Sequence, residues 1–127
     1  MDTHVVIWLA FDHAQLSKAA RATIEEARLK GEGLGISDIS LFELARALHR
    51  ERTHLSISVE SALAEVEQRF VVLPINSRIS LRALSLPPTY PKDPADRIIG
   101  ATALSEGLSL ITADRAIRKS RALPTIW

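Results

Sequence analysis

Hydrophobic positions along this chain fall into two spacings. Short apolar runs at 33–37 (GLGIS), 70–75 (FVVLPI), 108–112 (LSLIT) and 124–127 (PTIW) each predict a strand. Between them, apolar residues recur at helical spacing. LSKAARATIEEARLKG has Ser17 as its expected N-cap and Gly31 just past its end. SLFELARALHRER opens on Ser40 with Glu43 three residues on, the spacing of a capping box. SVESALAEVEQRF and NSRISLRALSL follow. PADRIIGATALSEG is apolar at 98, 99, 101, 103 and 104, with Gly107 as a stop. Helices alternating with short apolar strands predict an α/β fold of three layers, α/β/α, around a mostly parallel central sheet.

Two segments break the pattern. HVVIWLAF is apolar throughout, which suits a buried strand or a buried helix equally. Asp2-Thr3 stands ahead of it as a helix cap would. In that case the strand expected before Asp2 is reduced to Met1, and the first strand reads as truncated. LPPTYPKDP, at 86–94, has four prolines in nine residues and forbids a regular helix there. A loop of that kind inside a compact domain often carries function.

The chain has 127 residues, which bounds it to one domain over 1–127. Hydrophobic content of 46% and charged content of 24% are those of a soluble globular protein. There is no cysteine, so disulfides, zinc–thiolate sites and cysteine nucleophiles are excluded. No apolar run is long enough to cross a bilayer, and the N-terminus lacks the basic region of a signal peptide. The cytoplasm is the default location. A net charge of +1 is too mild to argue for nucleic acid by itself. The basic stretches ARALHRERTH and ADRAIRKSRA read on charge alone as solvated helix faces. His4, His13, His49 and His54 have no zinc spacing, and the chain has neither a P-loop nor a G-x-S-x-G elbow.

Four acids beside apolar runs carry the chemistry: Asp2, Glu43, Asp96 and Asp114. A carboxylate in such surroundings is costly without a partner or a metal. In open α/β sheets, ligands bind beyond the carboxyl ends of the strands. Asp114 follows LSLIT directly, Glu43 follows GLGIS after a short turn, and Asp96 lies in the first turn of its helix. One sheet edge can therefore hold all four. Such a set of hard oxygen donors favours Mg²⁺ or Mn²⁺. Each acid also has a plainer reading: Glu43 as the capping-box glutamate, Asp96 as a helix-dipole partner, Asp2 and Asp114 as N-caps. Thr3 and Thr112 each stand near a candidate carboxylate, to hold it or to cap. Asp93 reads as a solvated turn residue, and Asp12, Asp38 and the pair Glu25 and Glu26 as surface or turn charge.

At these residues the chain resembles the PIN-domain ribonucleases, in particular the VapC-like toxins of toxin–antitoxin pairs. The matching pieces are DTHVVIWLA, ISDISLFELARAL, DPADRIIGATALSEGLSLITAD and the terminal TIW, in order across almost the whole chain. The resemblance implies that Asp2, Glu43, Asp96 and Asp114 bind one or two Mg²⁺ or Mn²⁺ ions, with Thr112 at the family's hydroxyl position. It implies an RNA substrate, an antitoxin partner lying across the active-site groove, and a homodimer. Arg97, Arg115, Arg118 and Lys119 are candidates to hold the RNA backbone. The alternative is a PIN-like interaction module with weak or no catalysis, suggested by the truncated first strand.

Overall fold

The computed structural model describes residues 1–50 and 57–127. The last two residues of the helix expected over 40–52, and the end of the basic stretch at 45–54, lie outside the described residues. Seven helices are described: α1 (Thr3–Phe11), α2 (Lys18–Leu29), α3 (Ile39–Arg50), α4 (Val59–Arg69), α5 (Ser77–Ser85), α6 (Pro94–Ser105) and α7 (Arg115–Ser120). Four short strands alternate with them: β1 (Gly35–Ser37), β2 (Val71–Leu73), β3 (Leu110–Ile111) and β4 (Thr125–Ile126). β1 pairs with β2 and β3 with β4, both in parallel. Every expected strand forms, but each is shorter than its apolar run.

The ambiguous N-terminal segment is a helix. Asp2 caps it, accepting a hydrogen bond from the His4 amide. An all-apolar helix must be buried on more than one side. Accordingly, Val5 packs with Leu16, Ile24 and Ile111, while Val6 packs with Ile36 and Leu44. Trp8 closes the helix against Trp127, with ring centroids 5.6 Å apart.

Residues 1–2 lie between the two strand pairs. The Met1 ammonium donates to Gly35 O of β1 at 2.6 Å, and the Asp2 amide donates to Ile111 O of β3 at 3.0 Å. The spatial order is therefore β2, β1, residues 1–2, β3, β4. Burial takes water from the ammonium and lowers its pKa to about 6, although the Asp2 charge pulls the other way.

Successive residues of β3 feed opposite faces of the sheet. Leu110 enters a cluster with Ile99, Tyr90 and Ile117, whereas Ile111 enters the cluster of α1 and α2. That alternation is the three-layer arrangement expected from the sequence. Ser17 caps α2 as expected, and Gly31 and Gly107 take the left-handed conformation that stops α2 and α6 (φ 68° and 66°).

The proline-rich loop is held by its neighbour α6. Tyr90 is buried and its hydroxyl donates to Asp96 O at 3.1 Å. Gly100 makes room for that ring: a Cβ there would stand 2.3 Å from the Tyr90 hydroxyl oxygen. Gly100→Ala is therefore expected to push the ring out and cost about 1–3 kcal/mol, read as a lowered melting temperature.

Candidate active site

The edge of the sheet where β1 and β3 end holds all four candidate acids. Asp2 is tied to β3 through its own amide, and its carboxylate is buried. One oxygen accepts from the His4 amide at 3.2 Å and lies 3.7 Å from the His4 ring. The other accepts from the Thr112 hydroxyl at 2.5 Å. Burial alone would raise this carboxyl's pKa. The hydrogen bonds from His4 and Thr112 outweigh it and hold Asp2 below the usual range. The Asp2 carboxylate beside the His4 ring in turn favours the protonated imidazole and raises the pKa of His4.

Thr112, the first residue past β3, is fully buried and links two of the acids. Its hydroxyl donates to Asp2 and accepts from the Asp114 amide at 3.1 Å. Asp114 in turn caps α7 by accepting from the Ile117 amide at 2.8 Å. Removing the hydroxyl in Thr112→Val leaves a buried carboxylate oxygen and a backbone N–H without partners. We expect a cost of about 1–3 kcal/mol, measured by thermal melting of the metal-free protein.

Glu43 lies on α3, one turn beyond β1. Its carboxylate accepts from the Thr3 hydroxyl at 2.6 Å, and that hydroxyl is 2.9 Å from the Ser40 hydroxyl. Asp96 lies in the first turn of α6. Burial first, then the negative charges of Asp93, Asp2, Asp114 and Glu43, raise its carboxyl pKa from 3.8 to about 6. Asp96 thus feels all three other candidates.

Several expectations change. Ser40 is not a cap: α3 begins at Ile39, so Ser40 lies inside the helix and is completely buried. With the capping box gone, Glu43 has no capping duty and is oriented by Thr3 instead. Asp93 is not a free turn residue. It caps α6 through the amides of Ala95 and Asp96, at 2.9 and 3.2 Å, with Pro94 at the first helical position. The Asp-Pro pair was the available sequence signal. Asp2 and Asp114 are N-caps, as their plainer readings had it, and stand at the shared edge as well.

The Arg97 guanidinium is engaged by backbone carbonyls of its own fold. It donates to Ala83 O, Pro91 O and Leu86 O at 2.9, 3.1 and 2.8 Å, clamping the proline-rich loop to α6. Arg115, Arg118 and Lys119 are exposed on α7 and, with Arg121, line a shallow depression starting next to Asp114.

Among the described residues, no three His, Asp or Glu side chains stand close enough to form a ready-made metal cage. The carboxylates are instead spread along one rim by threonine and backbone hydrogen bonds. Burial is the first cause of the raised Asp96 pKa and the charges of the other acids the second; that shared negative charge is what a hard cation would neutralise. The donor set is all oxygen, which suits Mg²⁺ or Mn²⁺.

The family model described as PIN domain matches residues 1–123 of this chain. Ribonuclease VapC22 of Mycobacterium tuberculosis is 38% identical over 129 residues, covering 100% of this chain and 96% of that protein. VapBC2 from Rickettsia felis, bound to a promoter DNA fragment, has the same fold. Its TM-score is 0.71 at 16% identity, over 98% of this chain and 93% of that one. DNA-bound VapBC from Salmonella typhimurium gives a TM-score of 0.67 at 25% identity, over 98% and 92%. Among the described residues no helix is long and apolar enough to cross a membrane.

Proposed function

The chain belongs to the PIN-domain family, and on that premise we propose that it is a metal-dependent endoribonuclease, the toxin of a VapBC-type toxin–antitoxin pair. The observation that carries this reading is the Asp96 carboxyl. It is raised to about 6, first by burial and then by the negative charges of Asp93, Asp2, Asp114 and Glu43, so its ionised form lacks a compensating positive charge on this rim.

On this reading Asp2, Glu43, Asp96 and Asp114 hold Mg²⁺ or Mn²⁺. When bound, the cation supplies Lewis-acid activation of water and of the scissile phosphate. The chain's own residues set the frame. Thr112 aims one Asp2 oxygen and fixes the Asp114 backbone, and Thr3 aims Glu43. Arg115, Arg118 and Lys119 on α7 give the RNA backbone a cationic surface next to Asp114. Arg97 is left out of that surface because its donors are already engaged. The working unit is one domain over 1–127, acting in the cytoplasm as a homodimer and neutralised by an antitoxin protein.

RNA cleavage should appear with Mn²⁺, vanish in chelator and return when Mn²⁺ is restored. Cleavage that persists in chelator contradicts the mechanism. The competing reading, an interaction module without catalysis, draws on Asp2, both of whose oxygens already have hydrogen-bond partners. Absence of cleavage under every metal condition would favour it.

A pH dependence follows. Asp96 takes up its proton near pH 6, and a protonated carboxyl is a poor ligand. Mn²⁺ affinity, read by calorimetry, is expected to fall steeply between pH 7 and pH 5, about tenfold per pH unit once Asp96 is mostly protonated. An affinity that stays level over that interval removes Asp96 from the binding set.

A further inference from the structure

An aromatic ring stands in water beside the acid rim. Phe42, immediately before Glu43 on α3, is 60% exposed, whereas Leu44 and Leu48 of the same helix are buried. A single exposed apolar residue is common and carries no message by itself. This one has a cation on it: the Arg46 guanidinium lies over the Phe42 ring, 5.7 Å from its centroid.

Residues 42, 46, 49 and 50 follow the spacing that puts side chains on one face of a helix. That face carries Phe42, Arg46, His49 and Arg50, all of them exposed. At 1.5 Å per residue it runs roughly 12 Å away from the rim. Arg46, His49 and Arg50 border an open depression with Val59 and Glu60 of α4, where Glu60 supplies a carboxylate. The helix dipole accounts for basic residues in the last turn, at His49 and Arg50. It does not account for Arg46, a turn earlier, nor for a ring left in water at the end nearest Glu43.

A ring with a cation beside it, at the head of a basic stripe, has the parts of a platform for single-stranded nucleic acid. Any base can lay its π-face on the ring, and the phosphates meet cations. A protein partner would seat an exposed ring in an apolar contact, but three of the four positions here are basic. The charge favours RNA.

Resting on the ribonuclease reading, we propose that Phe42 is a base-stacking residue for single-stranded RNA. The base flanking the scissile phosphate lies on the ring face that Arg46 leaves open. Arg46, then His49 and Arg50, carry the phosphates that lead away from the rim. Phe42 thus positions the strand by stacking and not by reading base edges, and α3 adds a second cationic surface to that of α7.

The test uses the full chain and fluorescein-labelled 12-nucleotide RNAs, with anisotropy reporting binding in chelator at low salt. Phe42→Ala should bind single-stranded RNA about tenfold more weakly than the parent, with its salt dependence unchanged because no charge is lost. Phe42→Trp should restore binding. Arg46→Gln should weaken binding and flatten the slope of log affinity against log salt by about 0.7. A duplex, whose bases are already stacked, should be indifferent to Phe42→Ala. The melting temperature of Phe42→Ala should stay within about 2 °C of the parent, as for an exposed side chain. With Mn²⁺, the KM for cleavage should rise by the same factor as the affinity falls, with kcat held. Equal binding by Phe42→Ala and the parent overturns the proposal and leaves the ring to a protein partner. So does a loss that Phe42→Trp shares, or one that comes with a lowered melting temperature, since either makes the ring structural. A parent that binds no RNA overturns it too. A parent that binds RNA in the expected way but cleaves none with Mn²⁺ sinks the ribonuclease reading alone and leaves the stacking surface standing.

Discussion

Asp96→Asn is expected to abolish Mn²⁺-dependent RNA cleavage, by a factor of at least about 10², while making the metal-free protein more stable at neutral pH. The two effects have one origin. In the folded chain the Asp96 carboxyl is raised from 3.8 to about 6, chiefly by burial and then by Asp93, Asp2, Asp114 and Glu43. A carboxyl whose pKa rises on folding is ionised at a cost in the folded state. That cost is absent below about pH 4, grows as pH rises through 6 and is fully present at pH 7. Asparagine keeps the shape and removes the charge. The metal-free variant should therefore melt higher than the parent at pH 7 and no higher near pH 4. A residue serving only the fold would lose stability on substitution. A variant that is both destabilised and active would remove Asp96 from the proposed machinery.

The largest expected effect on stability belongs to Arg97→Ala. Three backbone carbonyls, Ala83 O, Leu86 O and Pro91 O, share this one guanidinium. Hydrogen bonds to a charged donor contribute about 1.5–3 kcal/mol each, and their removal leaves acceptors facing inward. Some of that loss is recovered by water, because the site is only part-buried. We expect a net loss of about 3 kcal/mol and a melting temperature lower by roughly 10 °C. Arg97→Lys should recover little, since one ammonium cannot reach carbonyls arranged as a fork. If Arg97→Ala instead melts like the parent and weakens RNA binding, the clamp is wrong and the residue belongs to the substrate surface.

These two residues, neighbours in DPADR, show what the chain makes legible. The role proposed for Asp96 rests on its place at a helix start beside a sheet edge, which the helical spacing of 94–107 and the strand pattern of 108–112 already indicate. The clamp made by Arg97 is invisible at that level. Its three acceptors lie 6 to 14 residues away and meet only when the loop folds back on α6. Helices with a polar cap and one apolar face, such as the one Ser17 opens, follow from local rules. The helix at 3–11 does not, because residues apolar on every side lack a period to read. The capping box at Ser40 misled for a related reason: the tight turn after β1 starts the helix earlier, and Ser40 is buried against Thr3 instead. Strand lengths were also illegible. An apolar run marks what is buried, not how far ladder pairing extends, and β3 pairs over only two of its five apolar-run residues.

The most direct test of the central claim is a crystal structure of the protein with Mn²⁺, read by anomalous diffraction. A peak bounded by the carboxylates of Asp2, Glu43, Asp96 and Asp114, lost in Asp96→Asn, is the predicted result. Strong peaks confined to other surface carboxylates, with this rim unchanged and empty at saturating Mn²⁺, would contradict it.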